Sequence, residues 1–199
     1  MRHLFLSLLC IIFFTCGCKQ LIMLKYGIKD PKLETRESIL EFSNNFHLDS
    51  GEVYIFKYTN AYFHYLRYII FKKNAIGTLF FNQKGYLVDN SKAKSCQWSG
   101  CAFLNQFNRD SLYYTDSTYQ LNGLLQKIIP LTCKEKVLHS DENDLTVIII
   151  WAKFVGKYNE RLFCISEVAA NREDLKVRII YLNIDMLKEW NLEKSQMLQ

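Results

Sequence analysis

Residues 145–185 read LTVIIIWAKFVGKYNERLFCISEVAANREDLKVRIIYLNID, and this stretch decides the fold. TVIIIWA is a continuous apolar run of the kind that is buried on both faces of a sheet. NERLFCISEVAANRE carries apolar residues at helical spacing, and KVRIIYLNID is rich in residues that favour strands. Strand, helix and strand with a crossover of this length predict a parallel βαβ unit with a right-handed connection.

The chain before this unit alternates between helix and strand signals. Thr35 is a candidate N-cap for a helix through RESILEFSNNF, EVYIFKY reads as a strand, and NAYFHYLRYIIFKK reads as a helix. GTLFF and GYLV, joined by NQKG, predict a β-hairpin. A further helix is predicted from Ser117 or Thr118 through YQLNGLLQKII, ending at Pro130. These patterns predict a single α/β domain over residues 35–199.

Residues 151–158 and 182–185 carry a family resemblance. Trp-Ala, two residues, Val-Gly-Lys-Tyr, a helix and a strand ending in Leu-Asn-Ile-Asp follow one another in that order. This order resembles the thioredoxin pattern of Trp-Ala, two residues, Cys-Gly-Pro-Cys, a helix and a strand ending in Asn-x-Asp. The resemblance implies a thioredoxin-like mixed sheet with flanking helices.

Val155, Gly156, Lys157 and Tyr158 occupy the positions of that family's redox site, in a degenerate form. In the family, the first cysteine lies where the strand gives way to the helix, and unpaired N–H groups and the helix dipole lower its pKa. Val155 cannot attack a disulfide, and Tyr158 replaces the cysteine that resolves the mixed disulfide. The family's buried acidic residue, two positions before the tryptophan, is Ile149 here. The resemblance therefore implies the fold without catalytic residues and without a cofactor.

A weaker resemblance lies in the predicted hairpin, within residues 75–87. AIGTLFF followed by KGYL resembles the thioredoxin hairpin that begins with a cis-proline, and Gly77 stands at the proline position. In the family this hairpin follows the redox helix, whereas here it precedes the corresponding segment. The two resemblances together imply a rearranged strand order; an α/β domain of another topology is the alternative.

The first eighteen residues, MRHLFLSLLCIIFFTCGC, have the features of an export signal. The apolar stretch from Leu4 to Phe14 has the length of a signal peptide rather than of a membrane span. Gly17 followed by Cys18 resembles the lipobox of bacterial lipoproteins, which implies cleavage after Gly17 and attachment of fatty acids such as palmitate at Cys18. Thr15 departs from the aliphatic residue that is usual there, and an ordinary secretory signal is the alternative.

The lipobox resemblance divides the chain into a lipoprotein signal peptide (1–17), a lipidated N-terminus and tether (18–34), and the α/β domain (35–199). The tether, KQLIMLKYGIKDPK in its central part, has turn residues and no clear period. The implied location is the bacterial cell envelope, with the lipid anchor in a membrane on the periplasmic or surface side.

Cys96 and Cys101 form the one closely spaced cysteine pair of the mature chain. Such a pair can close a small disulfide loop in an oxidising compartment. It is interpreted as a structural staple or as two buried thiols, and a relocated redox pair is the alternative. Cys133 and Cys164 can pair with each other or stay reduced, since connectivity does not follow from spacing.

Metal and nucleic-acid sites are not expected. The mature histidines have no ligand spacing, and SDENDL at 140–145 lacks the glycine and the following ligand of a calcium loop. The net charge is +5, with basic residues interspersed among acidic ones, which is typical of a solvated surface rather than of a nucleic-acid footprint.

The helix NAYFHYLRYIIFKK is unusually aromatic. Tyr62, Phe63, Tyr65, Tyr68 and Phe71 cover more than one helical face, so some of these rings are expected to be exposed. An exposed aromatic patch would suit a protein partner or the membrane surface.

The sequence thus predicts a membrane-anchored envelope lipoprotein whose thioredoxin-like domain is redox-inactive and acts as a binding or scaffold module rather than as an enzyme. The expected contacts are the membrane, through the lipid anchor, and a protein of the envelope. Two alternatives stay open: a thiol–disulfide oxidoreductase that uses Cys96 and Cys101, and a structural lipoprotein without a specific ligand.

Overall fold

The computed structural model describes residues 23–72, 76–90, 99–132 and 143–191. The helices that lie wholly within these ranges are α1 (Arg36–Asn45), α2 (Thr59–Lys72), α3 (Ser99–Gln106), α4 (Leu121–Leu125) and α5 (Tyr158–Ala170), and residues 23–26 are also helical. The strands are β1 (Val53–Phe56), β2 (Gly77–Asn82), β3 (Tyr86–Val88), β4 (Thr115–Gln120), β5 (Ile128–Pro130), β6 (Leu145–Trp151) and β7 (Val177–Asn183). Short 3₁₀ turns occupy Ser50–Glu52, Lys153–Val155 and Lys188–Trp190.

The strands form one mixed seven-stranded sheet in the order β4-β3-β2-β6-β7-β1-β5. β7 pairs parallel with β6 on one side and with β1 on the other, so the parallel pairing of the predicted βαβ unit is confirmed. β2 and β3 form the predicted hairpin, and β2 pairs antiparallel with β6 over its whole length. The chain is therefore an α/β domain with a mixed sheet and flanking helices.

Strand β6 lies between two apolar layers, and all seven of its residues are buried. Val147, Ile149 and Trp151 pack on the face covered by α1, α3 and α5. Ile148 and Ile150 pack on the opposite face, which α2 and α4 cover. Because successive side chains of a strand point to opposite faces, an uninterrupted apolar run is the sequence that this three-layer arrangement requires.

The local signals of the first helix are confirmed in detail. Thr35 caps α1: its hydroxyl accepts from the Ser38 N–H at 3.2 Å, and the Ser38 hydroxyl accepts from the Thr35 N–H at 3.1 Å. This reciprocal capping satisfies backbone donors that the first turn of a helix leaves without intrahelical partners.

The prediction of a helix from Ser117 or Thr118 to Pro130 is wrong. Thr115–Gln120 form strand β4, only Leu121–Leu125 are helical, and Ile128–Pro130 form strand β5. β5 pairs antiparallel with β1 at the edge of the sheet. The apolar spacing around Leu121 supports one helical turn, but pairing with β3 and β1 decides the conformation on either side of it. An edge strand also tolerates a proline, which cannot donate a ladder hydrogen bond.

Two aromatic rings of helix α2 are buried in the core. Tyr62 and Tyr65 are 5% and 2% exposed and contact Phe56 of β1, while Phe63 is half-buried against Tyr62. The side chains of Tyr68 and Phe71 lie outside the described part of the chain. The proposed aromatic patch therefore loses Tyr62 and Tyr65, whose rings belong to the core.

None of the helices in the described ranges is both long and apolar enough to cross a membrane. The predicted signal peptide and Cys18 precede residue 23, and so lie outside those ranges.

Candidate functional site

The four degenerate positions meet where β6 gives way to α5, and we call residues 152–158 the junction. After Trp151 the chain makes the 3₁₀ turn at Lys153–Val155, turns at Gly156 with φ of 56° and ψ of −131°, and enters α5 at Tyr158. Val155 is an apolar residue that is only 6% exposed. The position where the resembled family carries its nucleophile is thus filled by a buried aliphatic side chain.

Trp151, which precedes the junction, serves packing. Its ring is fully buried, stacks on Phe42 of α1 with the centroids 5.7 Å apart, and meets the edge of Phe163 of α5. Aromatic pairs of this kind add to the free energy gained from area burial. The indole therefore joins three elements of one layer around the start of α5.

The N-terminal segment, residues 23–34, lies across the junction. The Lys29 N–H donates to the Phe154 carbonyl at 2.7 Å, and the Lys157 N–H donates to the Tyr26 carbonyl at 2.7 Å. The second bond satisfies a backbone donor beside the start of α5, where a helix leaves its first N–H groups unpaired and its dipole is positive. The chain's own carbonyl oxygen thus occupies the place where such a junction would otherwise stabilise an anion.

Side chains reinforce this contact. The Tyr26 ring meets the edge of Tyr158 with centroids 5.9 Å apart, and the Arg161 guanidinium lies 4.5 Å from the Tyr26 ring centre. A guanidinium over an aromatic face is attracted by the ring quadrupole. Leu24, by contrast, is 81% exposed.

Glu34 fixes the far end of the N-terminal segment. Its backbone forms an isolated parallel bridge with Leu187, and its carboxylate accepts from Lys153 Nζ at 2.8 Å and from the Ser38 hydroxyl at 2.7 Å. Burial by itself raises the pKa of Glu34, but the hydrogen bonds from Lys153 and Ser38 outweigh it, and the net pKa is lowered. The segment predicted as a tether therefore contributes to the domain a buried carboxylate that is paired with the half-buried Lys153.

The Asn-x-Asp sequence at the end of β7 forms hydrogen bonds that stabilise the junction. Asp185 Oδ2 accepts from the Lys153 N–H and from the Asn183 side-chain amide, both at 2.8 Å. Burial raises the pKa of Asp185 although these two hydrogen bonds favour its carboxylate. Asn159 donates to the carbonyls of Ala152 and Gly156 at 2.8 and 3.0 Å, which closes the turn from the side of α5.

The hairpin position singled out in the sequence lies beside the strand that leads into the junction. Gly77, at the first position of β2, is in register with Ile150 of β6, one residue before Trp151. Sequence separation had left the relation between hairpin and junction open, and sheet pairing places the hairpin beside β6, which ends one residue before the junction.

The described thiols lie away from the junction turn. Cys101 of α3 and Cys164 of α5 are both half-buried, and their Sγ atoms are 2.6 Å apart. Burial, followed by the hydrogen bond with Cys164, raises the pKa of Cys101 to about 12. Cys96 and Cys133 lie outside the described residues, so the Cys96–Cys101 pairing stays a prediction.

Several residues of this site were not predicted from the sequence. Tyr26 and Glu34 fall in a segment without periodicity, and Asn159 falls in a helix whose polar residues are expected to face solvent. Asp185 could have been predicted, because it belongs to the Asn-x-Asp sequence on which the family resemblance is based. Within the described ranges, no group of three His, Cys, Asp or Glu residues is arranged to hold a metal ion.

Comparisons with protein-family models, with curated proteins and with solved structures found no match to this chain. A function for this chain therefore has to be inferred from its own sequence and geometry.

We expect Gly156→Ala to destabilise the domain by at least about 2 kcal/mol. The φ and ψ at this position favour glycine, and an added Cβ would lie 2.4 Å from the Tyr26 carbonyl oxygen and 2.5 Å from that of Gly27. Urea unfolding measures the loss, and trypsin should cut faster at Lys25 and Lys29 as the N-terminal segment detaches.

The matched control is Gly123→Ala in α4, where a Cβ meets nothing within 4 Å. This change should be neutral or stabilise by up to about 1 kcal/mol, because alanine favours a helix. Equal losses in the two variants would contradict the close packing of the segment on Gly156.

Glu34→Gln should reduce the amount of folding stability that the domain loses as the pH falls from 7 to 3. Since the folded-state pKa of Glu34 lies below its ordinary 4.5, the carboxylate stabilises the fold above that pH, and this contribution is lost as the pH falls through the folded pKa. We expect the variant to be less stable by about 1 kcal/mol at pH 7 and to converge with the wild type in acid.

Urea unfolding at intervals from pH 7 to pH 3 measures this effect. The same substitution at exposed Glu173 controls for the removal of one negative charge. Stability profiles for wild type and Glu34→Gln that stay parallel from pH 7 to pH 3 would contradict a pH-dependent contribution from the Glu34–Lys153 pair.

Proposed function

We propose that this protein is a lipid-anchored lipoprotein of the bacterial envelope whose domain is a redox-inactive, thioredoxin-like binding or scaffold module. The domain's expected contacts are the membrane, through the anchor at Cys18, and another envelope protein. The observation that carries the proposal is the junction itself, where a buried valine and the chain's own N-terminal segment occupy the place of a reactive thiol.

The arrangement of the sheet supports a rearranged thioredoxin-like fold. The two parts of the sequence that resemble that family are the β6-α5-β7 unit and the β2-β3 hairpin, and both belong to one sheet with β2 paired to β6. The hairpin precedes β6 in the chain, as the sequence resemblance implied. Gly77 beside Ile150 also has the neighbourhood expected of the family's proline position, next to the strand that leads into the junction.

The junction favours a binding or scaffold role over thiol exchange. Dithiol exchange needs an accessible thiolate, and the family's two cysteine positions hold Val155 and Tyr158. The N–H of Lys157 is already bonded to the Tyr26 carbonyl. A substrate at this place would have to displace the N-terminal segment and would still meet no nucleophile.

The N-terminal segment also limits the distance between domain and membrane. Met23 is five residues after Cys18, and an extended chain of that length spans at most roughly 18 Å. Leu24 and Lys25, next along the chain, are exposed. An apolar side chain and a cation beside a lipid anchor suit the interface between acyl chains and headgroups. The docked segment would therefore hold the junction side of the domain near the membrane.

Replacing Cys18 tests the anchor. In bacteria that express the chain with its own leader and are grown with a clickable palmitate analogue, wild type and Cys16→Ala should carry the label and sediment with membranes. Cys18→Ala should lose the label and leave the membrane fraction, because the acylated thiol is gone. Label that persists in Cys18→Ala but disappears in Cys16→Ala would move the anchor and contradict this assignment.

The absence of exchange activity is tested with insulin. We expect the purified chain to leave the rate of insulin reduction by dithiothreitol unchanged, with a thioredoxin as the positive control. Burial keeps Cys101 protonated at neutral pH, since its pKa is raised to about 12, so the alternative Cys96–Cys101 site also has little thiolate at that residue. Acceleration by the wild type that Cys101→Ala abolishes would favour the oxidoreductase alternative instead.

A further inference from the structure

Two cysteines that the sequence keeps 63 residues apart meet between α3 and α5. Cys101 and Cys164 are half-buried, and their Sγ atoms are separated by 2.6 Å. Spacing along the chain had offered Cys96 as a partner for Cys101 and Cys133 as a partner for Cys164, with unpaired thiols as the alternative in both cases. The tertiary structure offers Cys101 a different thiol.

The close approach of the two helices depends on Gly100, the residue before Cys101. A Cβ at this position would lie 2.5 Å from Ile165 Cδ1 and 2.8 Å from Thr78 Oγ1. Ile165 is the residue after Cys164, so the contact that needs glycine lies directly beside the two thiols. The absence of a side chain at residue 100 therefore lets α3 approach α5 closely enough to bring the sulfur atoms together.

The other end of the helix pair is held by Arg172, just after α5. Its guanidinium donates to the carbonyl of Leu104 and, at 2.7 Å, to that of Phe107, at the C-terminal end of α3. It also forms an ion pair with Asp174, with N and O 2.7 Å apart. With Gly100 at one end and Arg172 at the other, the two helices are fixed on both sides of the thiols.

The surroundings of the pair suit a structural cross-link. The Cys164 thiol donates to the Arg161 carbonyl at 3.1 Å, and the raised pKa of Cys101 follows from burial and from the neighbouring thiol. A thiol of that kind is a poor catalytic nucleophile. Both residues nevertheless keep part of their surface exposed, so a disulfide oxidant can reach them.

We propose that Cys101 and Cys164 form a disulfide that joins α3 to α5 when the protein is in an oxidising compartment. One cysteine, as thiolate, attacks a disulfide-containing oxidant, such as oxidised glutathione or a disulfide-bearing protein, and expels one thiol. The second cysteine attacks the resulting mixed disulfide and expels the other thiol. The two cysteines together lose two electrons and two protons, and the oxidant's disulfide is reduced to two thiols.

This cross-link has two consequences. It closes a long loop of chain, which lowers the entropy of the unfolded state. It also excludes a Cys96–Cys101 staple in the same molecule, because Cys101 can take part in only one of the two bonds. α5, whose first residue belongs to the junction, would then be bonded covalently to the layer that packs beside it.

Peptide mapping decides between the two pairings. The full chain, extracted from membranes or oxidised in vitro with oxidised glutathione, is alkylated and digested with trypsin without reduction. Cys96 and Cys101 share the tryptic peptide 95–109, and Cys164 lies in peptide 162–172. We expect peptides 95–109 and 162–172 to be linked, with an alkylated Cys96, and Cys96→Ala should leave the link intact.

Thermal unfolding gives a second readout. The oxidised protein and oxidised Cys96→Ala should melt about 5–15 °C higher than their reduced forms, whereas Cys164→Ala should show no such shift. Free alkylated Cys101 and Cys164 after oxidation, or a bond within peptide 95–109, would overturn the proposal. Because the glutathione arm does not depend on export or lipidation, it would succeed or fail independently of the anchor at Cys18.

Discussion

The structure depends on the burial of β6 on both of its faces. A strand whose seven residues are all buried must have its backbone polar groups paired at both edges, since unpaired N–H and C=O groups away from water are costly. β2 pairs with one edge and β7 with the other, and helices cover both faces. The hairpin, the crossover helix and the two apolar layers all follow from this one requirement.

Where β6 ends, the same requirement governs the junction. The start of α5 needs partners for its N–H groups, and either an anion or a carbonyl oxygen can supply them. Here the Tyr26 carbonyl bonds to the Lys157 N–H, and Gly156 leaves the space for this close approach. Val155 is buried, and the Lys157 N–H is bonded within the chain, whereas the buried Asn159 Oδ1 and Trp151 Nε1 have no hydrogen-bond partner among the described residues. A region that the resemblance associates with redox chemistry thus becomes a place where the N-terminal segment is held.

Agreement between sequence and structure is best where local pattern and tertiary burial require the same conformation. The strand at Leu145–Trp151, the capped helix after Thr35 and the hairpin at β2 and β3 are examples. The prediction of a long helix around Leu121 was wrong because only five residues are helical there, and sheet pairing decides the conformation of the residues on either side. The N-terminal segment could not be placed from the sequence, because its contacts are made by backbone atoms, by one buried carboxylate and by the ring of Tyr26, and these leave no periodic pattern.

By itself, the sequence determined the α/β class, the parallel βαβ unit and the absence of cysteine from residues 152–158. These properties follow from residue type and from spacing along neighbouring positions. Only the tertiary structure decided that β2 lies beside β6, that Tyr26 and Glu34 close over the junction, and that Cys101 meets Cys164 rather than standing apart from it. Each of these contacts joins residues far apart in the chain, and their formation depends on how packed layers meet, which local sequence patterns do not encode.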